Sequence, residues 1–227
     1  MLNLGLAIPI SGGELSATAQ VIGMLRSTSK KAFFPSTTPE SGWWQDSTRI
    51  TQAALEQPVG WIDDLSLGLA LGSELFDPGV YSVGVGNWAA IGTNTVVNDG
   101  SGIIKITYVD SSRGAFTYFR AAHDLSADLV VGKSYKVTCQ AKISSGSANI
   151  SVNGASTVYL SSNITNTTYA ETSFYFVANH ATNCYIELAN LSAGEVVWIK
   201  DISLKELPGY HATQATSVNR PTYTKRV

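Results

Sequence analysis

The chain has 227 residues, 44% hydrophobic and only 14% charged, with 15 basic against 17 acidic side chains for a net charge of −2. That length fits one large domain, or one medium domain with substantial arms, and the absence of a basic stripe along the sequence argues against a nucleic-acid binder. The opening MLNLGLAIPISGG lacks the basic lead and full apolar core of a secretory signal, and no window approaches the ~18 apolar residues of a membrane span, so a soluble protein without membrane insertion is expected.

Residues 1–73 read as an arm punctuated by Ser, Thr, Pro and Gly. A helix is predicted over 14–26, where Leu15, Val21, Ile22 and Leu25 are apolar, although Gly23 weakens it. Farther on, Pro35, Pro39 and Pro58 preclude long regular elements, while Trp43, Trp44 and Trp61 require burial somewhere, against the rest of the chain or a neighbouring subunit.

From 74 to 207 the hydrophobic pattern changes to period two. Strands are predicted over 88–97, 103–109, 115–121, 134–143, 148–152, 157–160, 169–178, 184–189 and 195–207, separated by turn signals such as NDGSG, VGKS and SAGE. Short strands with no helix between them predict an all-β fold, an antiparallel jelly-roll β-sandwich with irregular N- and C-terminal arms. In EVVWIKDISLKEL the apolar parity switches at Lys200–Asp201, which predicts a bulge there. The two cysteines fall on inward faces, Cys139 with Tyr135, Val137, Ala141 and Ile143, and Cys184 with Ile186 and Leu188, so buried thiols are expected, with a disulfide the alternative if the two strands are neighbours. Residues 208–227 return to an irregular polar composition and read as a C-terminal arm.

Catalytic chemistry is hard to assemble from these residues. The three histidines, His123, His180 and His211, sit in loop-like contexts, and no HExxH, GxSxG, P-loop or CxxC spacing occurs. The acidic residues inside predicted strands, Glu171, Glu187, Glu195, Asp201 and Glu206, show no pairing pattern of the kind a glycosidase needs. A non-enzymatic protein is expected. Sugar binding has better candidates, because flat sugar faces stack on aromatic rings while planar polar groups bond hydroxyls. Trp88, Tyr108, Tyr118, Arg120, Tyr159 and Tyr175 lie on predicted strands and are the expected platform, with Phe116, Tyr118 and Arg120 sharing one face. The competing reading places these rings in the core or a subunit interface, where strand aromatics are common.

Two sets of residues carry resemblances. The segment that opens with LGSELF, passes through GNWAA and VGKSYKVTCQAKI and closes with VVWIKDISLKEL resembles the jelly roll of carbohydrate-binding modules, in the broad galactose-binding-like class. That resemblance implies a structural calcium where the opening and closing segments meet, at Glu74 and Asp201 with Asp77 nearby. The flanks, WWQDSTRITQAALEQPVGWIDD before the jelly roll and PGYHATQATSVNRPTY after it, resemble a recurring frame of tailed-bacteriophage structural proteins. This implies a virion protein of tail-fibre or head-decoration type, displayed on the particle exterior and made in the host cytoplasm. Its partners would be other virion proteins of tail, baseplate or capsid, further copies of itself in a homo-oligomer, and a cell-surface glycan. Trp43, Trp44, Trp61 and His211 would make the assembly contacts. The alternative reading is a free carbohydrate-binding module outside any virion.

Overall fold

Alternation of inward apolar and outward polar residues organises the chain, most plainly along the ten-residue strand SYKVTCQAKI. In the computed structural model the residues described are 42–54, 56–64, 69–77, 84–109, 114–154, 158–161, 163–189, 191–209, 211–213 and 217–220. The helix expected over 14–26 lies outside them, as do Pro35 and Pro39. No helix among the described residues is long and apolar enough to cross a membrane.

Among the described residues thirteen strands are formed: β1 (Trp43–Trp44), β2 (Trp61–Ile62), β3 (Ala89–Ala90), β4 (Thr95–Asn98), β5 (Ile104–Thr107), β6 (Ala115–Tyr118), β7 (Ser134–Ile143), β8 (Asn149–Asn153), β9 (Val158–Leu160), β10 (Ala170–Val177), β11 (Tyr185–Ala189), β12 (Val196–Leu207) and β13 (Ala212–Thr213). They make an antiparallel sandwich of two five-stranded sheets, a front sheet ordered β3-β6-β11-β8-β9 and a back sheet ordered β10-β7-β12-β5-β4, with β1-β2-β13 as a small third sheet. The core lies between the two large sheets, where Ile104, Ile106, Ile150, Ile186, Leu188, Val197, Ile199 and Leu204 are buried. At its centre Phe176 stacks on Phe119 (centroids 5.6 Å) and Tyr135 (5.7 Å). Both cysteines are free and buried in this core, and burial pushes both thiols above their ordinary range.

The strand expected over 88–97 is two strands in different sheets, β3 in front and β4 at the back. Gly92 turns the chain with φ of 65°, and Asn94 holds the crossing. Its Nδ2 donates to the Ile91 carbonyl (2.7 Å) while its Oδ1 accepts the Val109 amide (2.8 Å). The bulge expected at Lys200–Asp201 is present: the β7–β12 register shifts between Lys200 and Ser203, with Asp201 at φ 52°.

Where they are described, the flanks carry the two-residue strands β1, β2 and β13 in otherwise irregular chain. The segment 72–76 runs antiparallel beside the end of β12, with Glu74 bridging to Lys205, and β2 then pairs with β1 on one side and β13 on the other. The chain thus enters and leaves the sandwich side by side.

Candidate functional site

Cross-strand partners share a face, so the registers map the outer surface of the front sheet. Tyr118 pairs with Tyr185, and Tyr185 with Asn153; one row along, Phe116 pairs with Glu187, and Glu187 with Ser151. Inward alternation buries Thr117, Ile186, Leu188, Ile150 and Val152, which turns Phe116, Tyr118 and Tyr185 outward. Those three rings sit edge to face at 5.5, 5.8 and 5.7 Å between centroids, an arrangement favoured by the aromatic quadrupole.

Beside the rings runs a line of buried polar side chains: Glu187, Asn153, Ser151 and Asn149. Asn153 Nδ2 donates to Glu187 Oε2 (3.2 Å) and to Ser151 Oγ (3.1 Å). With the amide nitrogen engaged twice, Oδ1 is the atom Asn153 has left for a sugar hydroxyl. Asn149 is fixed by donating to the Ser161 carbonyl (3.1 Å) and to Asn163 Oδ1 (3.0 Å). The far edge is apolar, with Val158 57% and Leu160 44% exposed. At the other end Arg120 lies over the Tyr118 ring (4.8 Å) and touches His123 Nε2.

Of the expected platform, only Tyr118 and Arg120 lie on this face. Trp88, Tyr108 and Tyr159 are core side chains, 5%, 1% and 6% exposed. Tyr108 continues the inward parity of Ile104 and Ile106, and Tyr159 pairs with inward Val152. Tyr175 belongs to the back sheet, under the Arg49 guanidinium (4.6 Å). Sequence reasoning missed Tyr185, Glu187 and Asn153 as members of the site. The signal was available, since placing Cys184, Ile186 and Leu188 inward sends Tyr185 and Glu187 outward.

Glu74, Asp77 and Asp201 do not fit a calcium ion. The Glu74 carboxylate already accepts the amides of Leu75 (3.1 Å), Phe76 (3.0 Å) and Leu204 (2.8 Å) and the Ser203 hydroxyl. It ties the entering segment to β12 directly. Asp201 is exposed on the bulge, 3.8 Å from Lys200 Nζ, and the Asp77 amide donates to the Asp124 carbonyl (3.0 Å). Among the described residues no group of three or more His, Cys, Asp and Glu side chains is placed to hold a metal.

Three of the residues expected to make assembly contacts, Trp44, Trp61 and His211, gather around one buried carboxylate. Asp63, fully buried, accepts from Arg49 through Nε (2.9 Å) and Nη2 (2.9 Å), and from the indoles of Trp61 (2.9 Å) and Trp44 (3.2 Å). Trp61 packs against the tilted rings of His211 (5.2 Å between centroids) and Tyr175 (5.9 Å), while Trp43 lies on β1 of the same sheet. The Asp64 amide donates to His211 Nδ1 (3.0 Å), and Nε2 meets the Pro208 carbonyl (3.1 Å). His211 Nδ1 also lies 3.5 Å from Asp63 Oδ1. Asp46 supports the same unit by accepting the amides of Thr48, Ile50 and Thr51, which shapes the turn presenting Arg49. Gly60 is required because a Cβ there would meet the Gln45 and Asp46 backbone at 2.8 Å.

Burial alone would push the Asp63 carboxyl up; the His211 ring, the Arg49 charge and the two indoles outweigh it and hold the group below its ordinary value. Asp46 is likewise lowered, its backbone and Thr48 hydrogen bonds overcoming desolvation. A carboxyl depressed in the folded state stabilises above its unfolded pKa of about 4, and that contribution is lost as pH falls through the folded value. Urea midpoints are therefore expected to drop from pH 7 toward pH 3, and Asp63→Asn should flatten the drop.

No protein-family model and no curated protein matches the chain. Among solved structures, it is similar to the CBM22-1 xylan-binding domain from Paenibacillus barcinonensis Xyn10C, with 9% identity over 61% of this chain and 96% of that one and a TM-score of 0.44. It is also similar to the BiXyn10A CBM1 module, with 18% identity, 60% and 97% coverage and a TM-score of 0.42. A family 29 carbohydrate-binding module gives 13% identity, 59% and 83% coverage and a TM-score of 0.40. Similarity of this degree concerns the sandwich outline and assigns no residue a role.

Proposed function

We propose that the chain is a non-catalytic glycan-binding protein whose front sheet takes an uncharged sugar chain, held in a frame that displays it on the exterior of a virion. One observation carries the binding reading: Phe116, Tyr118 and Tyr185 form an outward ring cluster beside the pre-oriented Asn153–Glu187–Ser151 line. Rings stack on the C–H faces of pyranoses, and amide and hydroxyl groups read their hydroxyls. Glu187 is the one carboxylate among the described strand residues of this sheet. Glycoside hydrolysis uses two carboxyl groups roughly 5–10 Å apart, so binding without cleavage is the reading favoured.

Binding is tested on a glycan array followed by calorimetry on the best sugar. The double variant Tyr118→Ala/Tyr185→Ala is expected to weaken that sugar by about 10–100-fold, since each tenfold corresponds to ~1.4 kcal/mol. An unchanged affinity would sink the proposed face. The display reading rests on the sequence resemblance of the flanks, and homo-oligomerisation and attachment to other virion proteins belong to it. Because 42–64 close onto 208–213 within the chain, truncation of 1–41 is the informative deletion. It should abolish incorporation into particles and leave sugar binding intact; normal incorporation would favour a free binding module.

A further inference from the structure

The outer face of the back sheet has a different chemistry. Its registers put Lys105, Trp198 and Lys142 in one cross-strand row, with Tyr169 beside Lys142 and Lys200 farther along β12. Ammonium groups and rings alternate along this row. Lys105 Nζ is 5.9 Å from the Trp198 centroid, Lys142 Nζ lies between Trp198 (4.7 Å) and Tyr169 (4.8 Å), and Lys200 Nζ is 4.6 Å from Tyr169. Trp198 is held in turn by donating Nε1–H to Asp99 (3.0 Å). Each ring fixes an ammonium by cation–π attraction, which leaves N–H donors for an anion; Lys200 also has Asp201 at 3.8 Å.

This concentration is not a property of the chain as a whole, whose net charge is −2. Of the six lysines among the described residues, Lys105, Lys136, Lys142, Lys200 and Lys205 project from this face, and only Lys133 does not. Glu171, Asp99, Asp201 and Glu74, which accepts from Ser203 on this face, lie on or beside it, leaving five cations against four carboxylates. The front-sheet strands carry no lysine.

Charge spacing selects the ligand. Neighbouring strands lie ~4.8 Å apart, which puts Lys105 and Lys142, two strands apart, about 10 Å from each other. Duplex DNA presents a charge every ~1.7 Å of axis and is met by denser cation arrays, commonly with arginine forks. Single strands need open ring faces for base stacking, whereas the rings here are engaged by lysines. We propose that this ladder is a second ligand surface, for an acidic polysaccharide bearing a carboxylate on alternate sugars.

The full chain is tested by affinity electrophoresis and calorimetry against hyaluronan, with dextran as the uncharged control and oligo(dT) as the nucleic-acid control. Hyaluronan should bind, more weakly as salt is raised, and dextran should not bind at this face. The variant Lys105→Gln/Lys142→Gln/Lys200→Gln should raise the hyaluronan Kd at least about tenfold. Should that variant melt early, Lys142→Gln alone carries the test, with a severalfold rise expected. The front-face variant Tyr118→Ala/Tyr185→Ala should keep hyaluronan binding, which separates the two surfaces. The proposal is overturned if hyaluronan does not bind, if the lysine variants bind it unchanged, or if oligo(dT) is preferred.

Discussion

Replacing Asp63 with alanine is expected to destabilise the protein by about 3–5 kcal/mol, as measured by urea unfolding at pH 7. The carboxylate is fully buried and balances Arg49, whose side chain is only 10% exposed. Its removal strands a buried guanidinium and leaves the Trp44 and Trp61 indoles without their acceptor. A buried donor left unpaired incurs its full desolvation cost, which exceeds the net value of one hydrogen bond. Asp63→Asn keeps the shape and an acceptor oxygen but loses the charge, so it should fall between wild type and alanine. An Asp63→Ala protein as stable as wild type would show that the frame is not held by this cluster.

The second large effect is expected at Phe176, which is fully buried and stacks on Phe119 and Tyr135, with the tilted Tyr159 ring 6.2 Å away between centroids. Phe176→Ala should cost about 3–5 kcal/mol, because neighbours on both sheets cannot collapse far into the space left behind. Tyr185, half-buried on the outer face, provides the contrast. Its alanine variant should change stability by less than about 1.5 kcal/mol while weakening sugar binding. Comparable losses at the two positions would mean that the outer rings are structural members of the sandwich.

Period-two alternation made the sandwich legible in advance. Over 134–143 the expected strand is the observed β7, and the parity switch at Lys200–Asp201 is the observed bulge. Alternation gives the face of a residue only within a strand, which explains the misplaced platform. Trp88 precedes a strand of two residues, so its direction depends on how the chain crosses between sheets at Gly92 and Asn94, whereas Tyr108 shares the parity of Ile104 and Ile106 and was legible as inward. Tyr159 sits on a short edge strand whose inward side is set by its pairing with Val152. The lysine ladder was hidden for a different reason. Lys105, Lys142 and Lys200 are far apart in sequence and meet only through the β5–β12–β7 pairing. Likewise, the tryptophan-rich flank was expected to need a surface, but its principal partner, His211, lies 150 residues from Trp61. Only the closure of β2 on β13 brings the two together.

The central claim, that the front sheet binds sugar, is tested most directly by amide chemical-shift mapping of the full chain titrated with the best-binding uncharged oligosaccharide. Perturbations are predicted to centre on Phe116, Tyr118, Asn153, Tyr185 and Glu187, and to leave the back sheet and the Asp63 cluster unmoved. Shifts centred on Trp198 and Tyr169, or none at saturating sugar, would contradict it.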